Sequence, residues 1–488
     1  MPSYPSRTRW IVLAVASAAN FLTILDLWVV NIAYPALQRD FAPATLSAVS
    51  WVLNIYAISL ATLLITAGRL ADNLGRRRCF FAGLVVFGVA SIGCAVAPVL
   101  SVLIAGRAVQ ALGAAILMLT SLSFVLSAFE QRSRATAVGV WAAVGAVAAS
   151  GGPVLGGLLI TFSWRWIFLI NIPLVAVTVI IGARVLPGDG ERRRRRLDVL
   201  GAVLVFAATA LLCTALVQIR AWPGWESCGA SGLAVLLAGV FALHVRRHRD
   251  PIVAPRLFTA RRFRAAALGI LSYYVGFAAI LLGSTLLSTE VWHYSALRTA
   301  LAIAPGPLVA SVLAPLAGRI AARVGFRAIV VTGSVLFALA GAWPALTLGG
   351  DAQYSTVLLP SLLLWGLANG LMQPALFGAA SAAPTSDLSS ASAVLTMARQ
   401  LGSALGVALL VAVLGHTTTP GAPDLRRGAL IVIAAAFTTL LVGLRRTAAI
   451  GMRPESDVPA DHPAAAVERA NQLPGTGGGA SLSRASRS

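Results

Sequence analysis

Hydrophobic residues in this chain fall into fourteen long blocks, near residues 11–36, 49–70, 79–99, 101–126, 136–160, 166–186, 198–218, 229–247, 265–288, 299–322, 326–348, 355–379, 391–415 and 428–446. Each block is continuous and about 20 residues long, enough for a helix to cross the hydrocarbon layer, whereas barrel strands alternate over about 10 residues. In hydrocarbon the backbone must satisfy its own hydrogen bonds, and a helix does so within one segment. The pattern predicts an all-α polytopic membrane protein with 14 transmembrane helices.

The polar connections test that count independently. Basic residues crowd every second connection: 30 of the 38 lie on one side, from Arg7 and Arg9 through Arg69, Arg76–Arg78, Arg132, Arg134, Arg184, Arg192–Arg196, the 246–264 loop, Arg319, Arg323 and Arg327 to the C-terminal arginines. The alternate connections hold only Arg39, Arg165, Arg220, Arg298, Arg426 and Arg427. Cytoplasmic loops retain basic residues, so both termini are expected in the cytoplasm, and a miscounted helix would have reversed the pattern downstream.

Composition narrows the class further. The chain is 58% hydrophobic and 11% charged, against roughly 25% charged in soluble domains. A net charge of +21 would suggest nucleic acid in a soluble protein. Here the one-sided loop charge accounts for it, with anionic inner-leaflet lipid as the expected partner rather than nucleic acid. Cys79, Cys94, Cys213 and Cys228 show no CxxC spacing, so neither a disulfide framework nor a metal site is expected. The apolar run after Arg9 continues through Pro35, too long for a signal peptide. It is therefore read as the first span, and the chain as a multi-pass plasma-membrane protein.

A loop sequence recurs. Gly68-Arg69-Leu70-Ala71-Asp72-Asn73-Leu74-Gly75-Arg76-Arg77 reappears as Gly318-Arg319-Ile320-Ala321-Ala322-Arg323-Val324-Gly325-Phe326-Arg327, an offset of 250. Gly83, Gly152 and Gly156 map in the same register onto Gly333, Gly402 and Gly406. The expected organisation is an N-terminal six-helix bundle (1–186), basic linkers with two additional helices (187–264), a C-terminal six-helix bundle (265–447) and a disordered cytoplasmic tail (448–488). Parallel halves of this kind are one of the known transporter plans.

Few residues within the blocks can do chemistry. Asp26 sits mid-span, where an ionised carboxylate costs about 2.5–3.5 kcal/mol and must face a cavity or a cation. The same cost favours the protonated form, so Asp26 is a candidate for carrying a proton; a permanently hydrogen-bonded structural acid is the alternative. Arg107 either holds that carboxylate or snorkels to the headgroups, and Gln110 shares its helix face. Arg399 carries the same snorkelling alternative. Asn31, Gln110, Asn369 and Gln373 are candidates for a substrate pathway, with helix bridging the other reading for the last pair. Gly68, Asp72, Gly75 and Arg76 form a tight charged loop suited to a cytoplasmic gate. Gly151, Gly152, Pro153, Gly156 and Gly157 interrupt the fifth block and permit close packing or a bend. No nucleophile–base pair or nucleotide loop is present, and a chain without lysine has no Walker sequence; an enzyme or an ATP-driven pump is not expected.

Together these residues resemble the major facilitator superfamily, specifically its fourteen-helix drug:proton antiporters of the EmrB/QacA type. The 68–77 loop is similar to the superfamily motif between helices two and three. Leu25-Asp26 with Val29-Val30-Asn31-Ile32-Ala33 resembles the first-helix motif of that group. Arg107 matches its fourth-helix arginine, Gly151-Gly152-Pro153 with Gly156-Gly157 its antiporter motif, and Trp164-Arg165-Trp166 through Asn171-Ile172-Pro173 a further group signature. Trp28 departs from the group, which usually has Thr there, and Ala322 departs from Asp72 of the first loop copy.

The resemblance implies a major facilitator fold: two six-helix bundles plus two additional central helices. It also implies export of small organic molecules in exchange for protons by alternating access, with Asp26 and Arg107 in proton coupling. The energy source would be the proton gradient, without a cofactor, in a monomeric protein. A proton-coupled importer, a metabolite exporter and a non-transporting sensor are the alternatives.

Overall fold

The computed structural model describes residues 6–186, 188, 198–219, 221–248, 251–253, 255–348, 353–378, 388–414 and 421–444. Residues up to Arg445 form one compact unit; 446–488 form a second, which lies outside the described residues, as does the Arg192–Arg196 run. The helices are α1 (Ser6–Asp40), α2 (Leu46–Leu74), α3 (Arg76–Ala95), α4 (Leu100–Ala128), α5 (Gln131–Ile160), α6 (Trp166–Leu169), α7 (Asn171–Val185), α8 (Val199–Val217) and α9 (Gly224–Arg247). They continue as α10 (Arg261–Leu286), α11 (Ala296–Ile303), α12 (Pro305–Thr347), α13 (Leu359–Gly378), α14 (Leu388–Leu414) and α15 (Ala422–Leu444). Fourteen stretches among them are long and apolar enough to cross a bilayer, and they coincide with the fourteen sequence blocks. Two blocks are built from more than one α-helix: α6 with α7 makes the sixth, and α11 with the start of α12 makes the tenth. The ninth and twelfth each add a π-helical turn, Leu287–Val291 after α10 and Tyr354–Leu358 before α13.

Outward-facing residues on the spans are apolar, as lipid requires. On α3, Val85, Val89 and Ile92 form an exposed stripe at helical spacing, continued by Val96 just past its end. The polar side chains turn inward instead: Asn20, Thr23, Asp26, Asn54, Ser91, Arg107 and Gln110 are all buried.

The sequence repeat is visible in the backbone. Gly75 (φ 105°) joins α2 to α3, and Gly325 (φ 84°) joins the two spans within α12. These are the positive-φ glycines among the described residues, and they lie one repeat apart. A Cβ is strained in that region, which is why both copies carry glycine. Gly75→Ala is expected to cost about 1–3 kcal/mol, read as a lowered melting midpoint in detergent. Gly139→Ala, on helical backbone with open space around it, is the control that should not lower it.

Packing repeats too, with one adjustment. A Cβ on Gly152 would meet Leu25 and Trp28 of α1, and one on Gly156 would meet Val29. In the second half, Gly402 meets Leu271 and Tyr274 of α10, and Gly406 meets Val275 and Ala278. The α5–α14 pair keeps the offset of 250, but their partners α1 and α10 are related by 246, so the register is not constant over the repeat. Pro153 does not break α5, which runs unbroken from Gln131 to Ile160. The expected interruption is instead a line of close approach to α1.

The two additional helices are central in the sequence but peripheral in space. Only 11% of the α9 span is buried, against 78% for the α2 span. α8 packs against both α2 and α14, bridging the two halves, with the Ser47 hydroxyl donating to the Val217 carbonyl at 3.2 Å. Asp198 fastens this pair at the arginine-rich side. It caps α8 by accepting from the Gly201 N–H at 2.9 Å, accepts from the Ile252 N–H at 2.7 Å, and lies 2.7 Å from His244 Nε2 on α9. One residue away, Arg69 of the first loop motif donates to the Pro251 carbonyl at 2.6 Å.

Burial pushes the Asp198 carboxyl up, but hydrogen bonds from Gly201, His244 and Ile252 outweigh it and hold the group below the ordinary carboxylate value of 3.8. A depressed native value means the carboxylate stabilises the fold above pH 3.8, and that contribution is lost as pH falls through the native value. Asp198→Ala should therefore destabilise the fold at neutral pH by about 0.5–2 kcal/mol for the cap alone, read as a lowered melting midpoint. The variant should also lose less stability than wild type between pH 4 and 3.

Candidate functional site

Four elements of the first half bring polar side chains to one point. Asp26 lies on α1, Arg107 and Gln110 on α4, Ser91 on α3 and Asn171 at the start of α7. The spacing of Arg107 and Gln110, one helical turn apart, puts both on the α4 face that meets α1. Arg107 Nη1 donates to Asp26 Oδ2 at 2.5 Å and to Gln110 Oε1 at 2.7 Å. Gln110 Nε2 donates in turn to Asp26 Oδ1 at 2.8 Å and to Ser91 Oγ at 2.9 Å. Asn171 Nδ2 donates to Asp26 Oδ1 and to Ser91 Oγ, both at 3.3 Å.

α2 closes the other side. Arg107 Nε donates to the Val52 carbonyl at 3.3 Å, and its guanidinium stacks 3.9 Å from the Tyr56 ring centroid. Both side chains of the ion pair have zero exposure. A snorkelling arginine would keep its head in the headgroups; this one is turned fully inward. Hydrogen bonds from Gln110 and Asn171 to the carboxylate, and from Arg107 to Gln110 and Val52, offset part of the desolvation of the pair, while Arg107 Nη2 is buried without a hydrogen-bond partner.

The site is sealed where the two halves meet. Trp28, two residues on from Asp26 and on the other face of α1, stands edge-on to Phe277 of α10, ring centroids 5.6 Å apart. Ser150 of α5 and Ser311 of α12 share a hydrogen bond at 2.9 Å. At the arginine-poor end, a Cβ on Gly157 would lie 2.7 Å from Ala300 Cβ, 2.8 Å from the Ala296 carbonyl and 2.9 Å from Leu297 Cα. The arginine-poor ends of α5 and α11 therefore touch backbone to backbone. The Trp164 indole and Arg165 guanidinium both bind Asp40 on the same side, at 2.7 and 3.0 Å, tying α1 to the α5–α6 connection.

The remaining candidates separate. Gln110, expected on a substrate pathway, belongs to the ion-pair cluster and is fully buried. Asn31 donates to the Leu27 carbonyl of its own helix at 2.9 Å and is half-buried. Asn369 accepts from the Tyr273 hydroxyl at 2.9 Å, bridging α13 to α10, and Gln373 is half-buried on the same helix. Gly68 packs against Leu119. Arg76 is exposed beside Gly75, and the side chain of Asp72 lies outside the described residues. Gly151 faces open space, whereas Gly152, Gly156 and Gly157 are in close contact.

Sequence reasoning assigned no role to Ser91, Asn171 or Tyr56, which complete the cluster. Asn171 carried a signal, as an amide at the end of the Trp164–Pro173 segment; a serine or tyrosine in an apolar helix carries none. One group of metal-ligand type, Asp198, His244 and His248, also comes together from distant positions. Its acid oxygens are taken by two backbone N–H groups and by His244, so it acts as a helix fastener.

The profile of the Major Facilitator Superfamily matches residues 16–407. The chain is 35% identical over 419 residues to the puromycin resistance protein pur8 of Streptomyces alboniger, covering 83% of this chain and 82% of that protein. It is 34% identical to the cephamycin export protein CmcT of Amycolatopsis lactamdurans, covering 84% and 86%. With the multidrug resistance protein Stp of Mycobacterium tuberculosis the identity is 30%, covering 84% and 76%. Among solved structures it is similar in fold to a POT family transporter in complex with 5-aminolevulinic acid (TM-score 0.67, 14% identity, 91% of this chain and 97% of that one). A similar likeness links it to the human organic anion transporter MFSD10 (TM-score 0.62, 16% identity, 90% and 99%).

Proposed function

Because the chain belongs to the Major Facilitator Superfamily, we propose that it exports small organic molecules of drug or antibiotic type across the plasma membrane in exchange for protons. The observation that carries this reading is the sealed Asp26–Arg107 pair. A proton reaching Asp26 cancels its charge, releases Arg107 and loosens the Gln110 and Asn171 hydrogen bonds at once. α1, α3, α4 and α7 all meet at that point, so a change of charge there alters how the first bundle packs. Relatives named for puromycin resistance, cephamycin export and multidrug resistance support an organic substrate and outward transport.

In this reading the arginine-rich side faces the cytoplasm, and the closed α5–α11 contact is the outer gate. The two halves rock about the Trp28–Phe277 contact, exposing the interior alternately to either side. The loop from Gly68 to Arg76 belongs to the cytoplasmic gate, and Asn31, Asn369 and Gln373 line or brace the pathway. Each proton moved inward supplies about 2.3 kcal/mol per 100 mV, so no cofactor, metal or nucleotide is needed. The protein acts as a monomeric transporter rather than an enzyme, with anionic lipid against its basic loops.

Purified protein in proteoliposomes, offered a compound panel under an imposed pH gradient, tests this. Accumulation of a compound on the acidic side, with matching proton release on the other, is expected. Movement of compound and proton in the same direction would replace the exporter reading with a symporter.

A further inference from the structure

Three charged side chains among the described residues lie well inside the spans: Asp26, Arg107 and Arg399. The first two neutralise each other. Arg399, on α14, has no carboxylate within ion-pair distance among the described residues. Its position, eleven residues along α14 from Leu388, is about 16 Å from the arginine-rich end of that helix. Its Nε is buried without a hydrogen-bond partner. The guanidinium carbon stands 6.0 Å from the ring centroids of both Tyr274 on α10 and Phe377 on α13. Arg399 is half-buried, with its guanidinium beside rings on two other helices of the second half.

The rings beside it lead to the seam between the halves. Tyr274 is 5.0 Å from Phe277, and Phe277 is 5.6 Å from Trp28 of the first half. A cation in low dielectric without a counter-ion is costly and is retained where something anionic visits it. Among the described residues, the interior of the second half therefore offers an unneutralised positive charge next to a line of aromatic faces. Guanidinium is the group best matched to a carboxylate, which it binds through two parallel N–H donors.

We propose that Arg399 is the recognition point for a carboxylate on the transported molecule, with the aromatic body of that molecule packing along Tyr274, Phe277 and Trp28. This rests on the export reading above and names its substrate class: amphipathic aromatic acids. The position, nearer the arginine-rich end, lets such an acid be captured from the side proposed as cytoplasmic.

A carboxylated xanthene dye and its methyl ester, which differ by one methyl group and the carboxylate charge, provide the test. Equilibrium binding to the detergent-purified full-length protein is read by fluorescence polarisation, and uptake of both dyes is measured in proteoliposomes. Wild type should bind the acid at least about tenfold tighter than the ester, as expected for a charge-assisted hydrogen bond. Arg399→Gln should erase that preference with ester binding unchanged, and Arg399→Lys should restore part of it.

Acid bound no tighter than ester by wild type overturns the proposal. So does an equal loss for both dyes in Arg399→Gln, which would mark a structural arginine. Binding needs no turnover, so absence of vectorial uptake for either dye would count against the export reading alone.

Discussion

Asp26→Asn is expected to abolish proton-driven uphill transport while leaving substrate exchange down its own gradient. The amide keeps the size of the carboxyl and its oxygen can still accept from Arg107, but its NH2 then stands where Oδ1 accepts from Gln110 and Asn171, so those two side chains must turn. What it loses is the ability to change charge, and with it any link between a proton and the packing of the first bundle. A stability cost accompanies the change, because Arg107 stays cationic with zero exposure. Removing one partner of a buried pair costs about 3–5 kcal/mol, and the amide's remaining hydrogen bond recovers part of that. Proteoliposomes give both readings: counterflow of labelled substrate and accumulation under a pH gradient. Undiminished gradient-driven accumulation by the variant would remove Asp26 from the mechanism.

Gly157→Val should trap the transporter with its arginine-poor side unable to close. Three α11 atoms lie within 3.0 Å of where the new Cβ would sit, two of them backbone and so unable to move aside alone. Overpacking of this kind costs about 1–3 kcal/mol, enough to bias a two-state equilibrium by about 5- to 150-fold. The cost falls only on the state in which α5 and α11 touch, so the fold itself should survive. Spin labels at the exposed positions Phe162 and Leu301 report the separation of the two elements. The distance distribution should move to longer values, and uphill transport should fall in parallel. Gly151→Val, on a residue facing open space, is the control. An unchanged distance for Gly157→Val would mean that this contact is not a gate.

These two glycines show where sequence reading stops. Both stand in one short motif, Gly151-Gly152-Pro153 with Gly156-Gly157, and nothing in the string separates them. Their roles differ because helical phase points Gly157 at α11, Gly152 and Gly156 at α1, and Gly151 at neither. The same limit applied to Arg107. Its place in the chain suited both a headgroup and an ion pair, and only the position of α1 relative to α4 distinguishes them. Gln110 shared a face with Arg107 by spacing, yet the identity of what that face meets belongs to the packing.

The number of spans, the one-sided charge of the loops, the repeated loop and the mid-span position of Asp26 were all written in the order of residues. Each follows from local physics: apolar length against bilayer thickness, charge retention in loops, and the cost of a charge in hydrocarbon. Helix packing alone decided which polar groups meet. It placed Ser91, Tyr56 and Asn171 around the ion pair, set α8 and α9 at the periphery, and left Arg399 without a counter-ion among the described residues. A contact between helices more than a hundred residues apart depends on the rotation and depth of each one, and side-chain interdigitation sets those only once all are assembled.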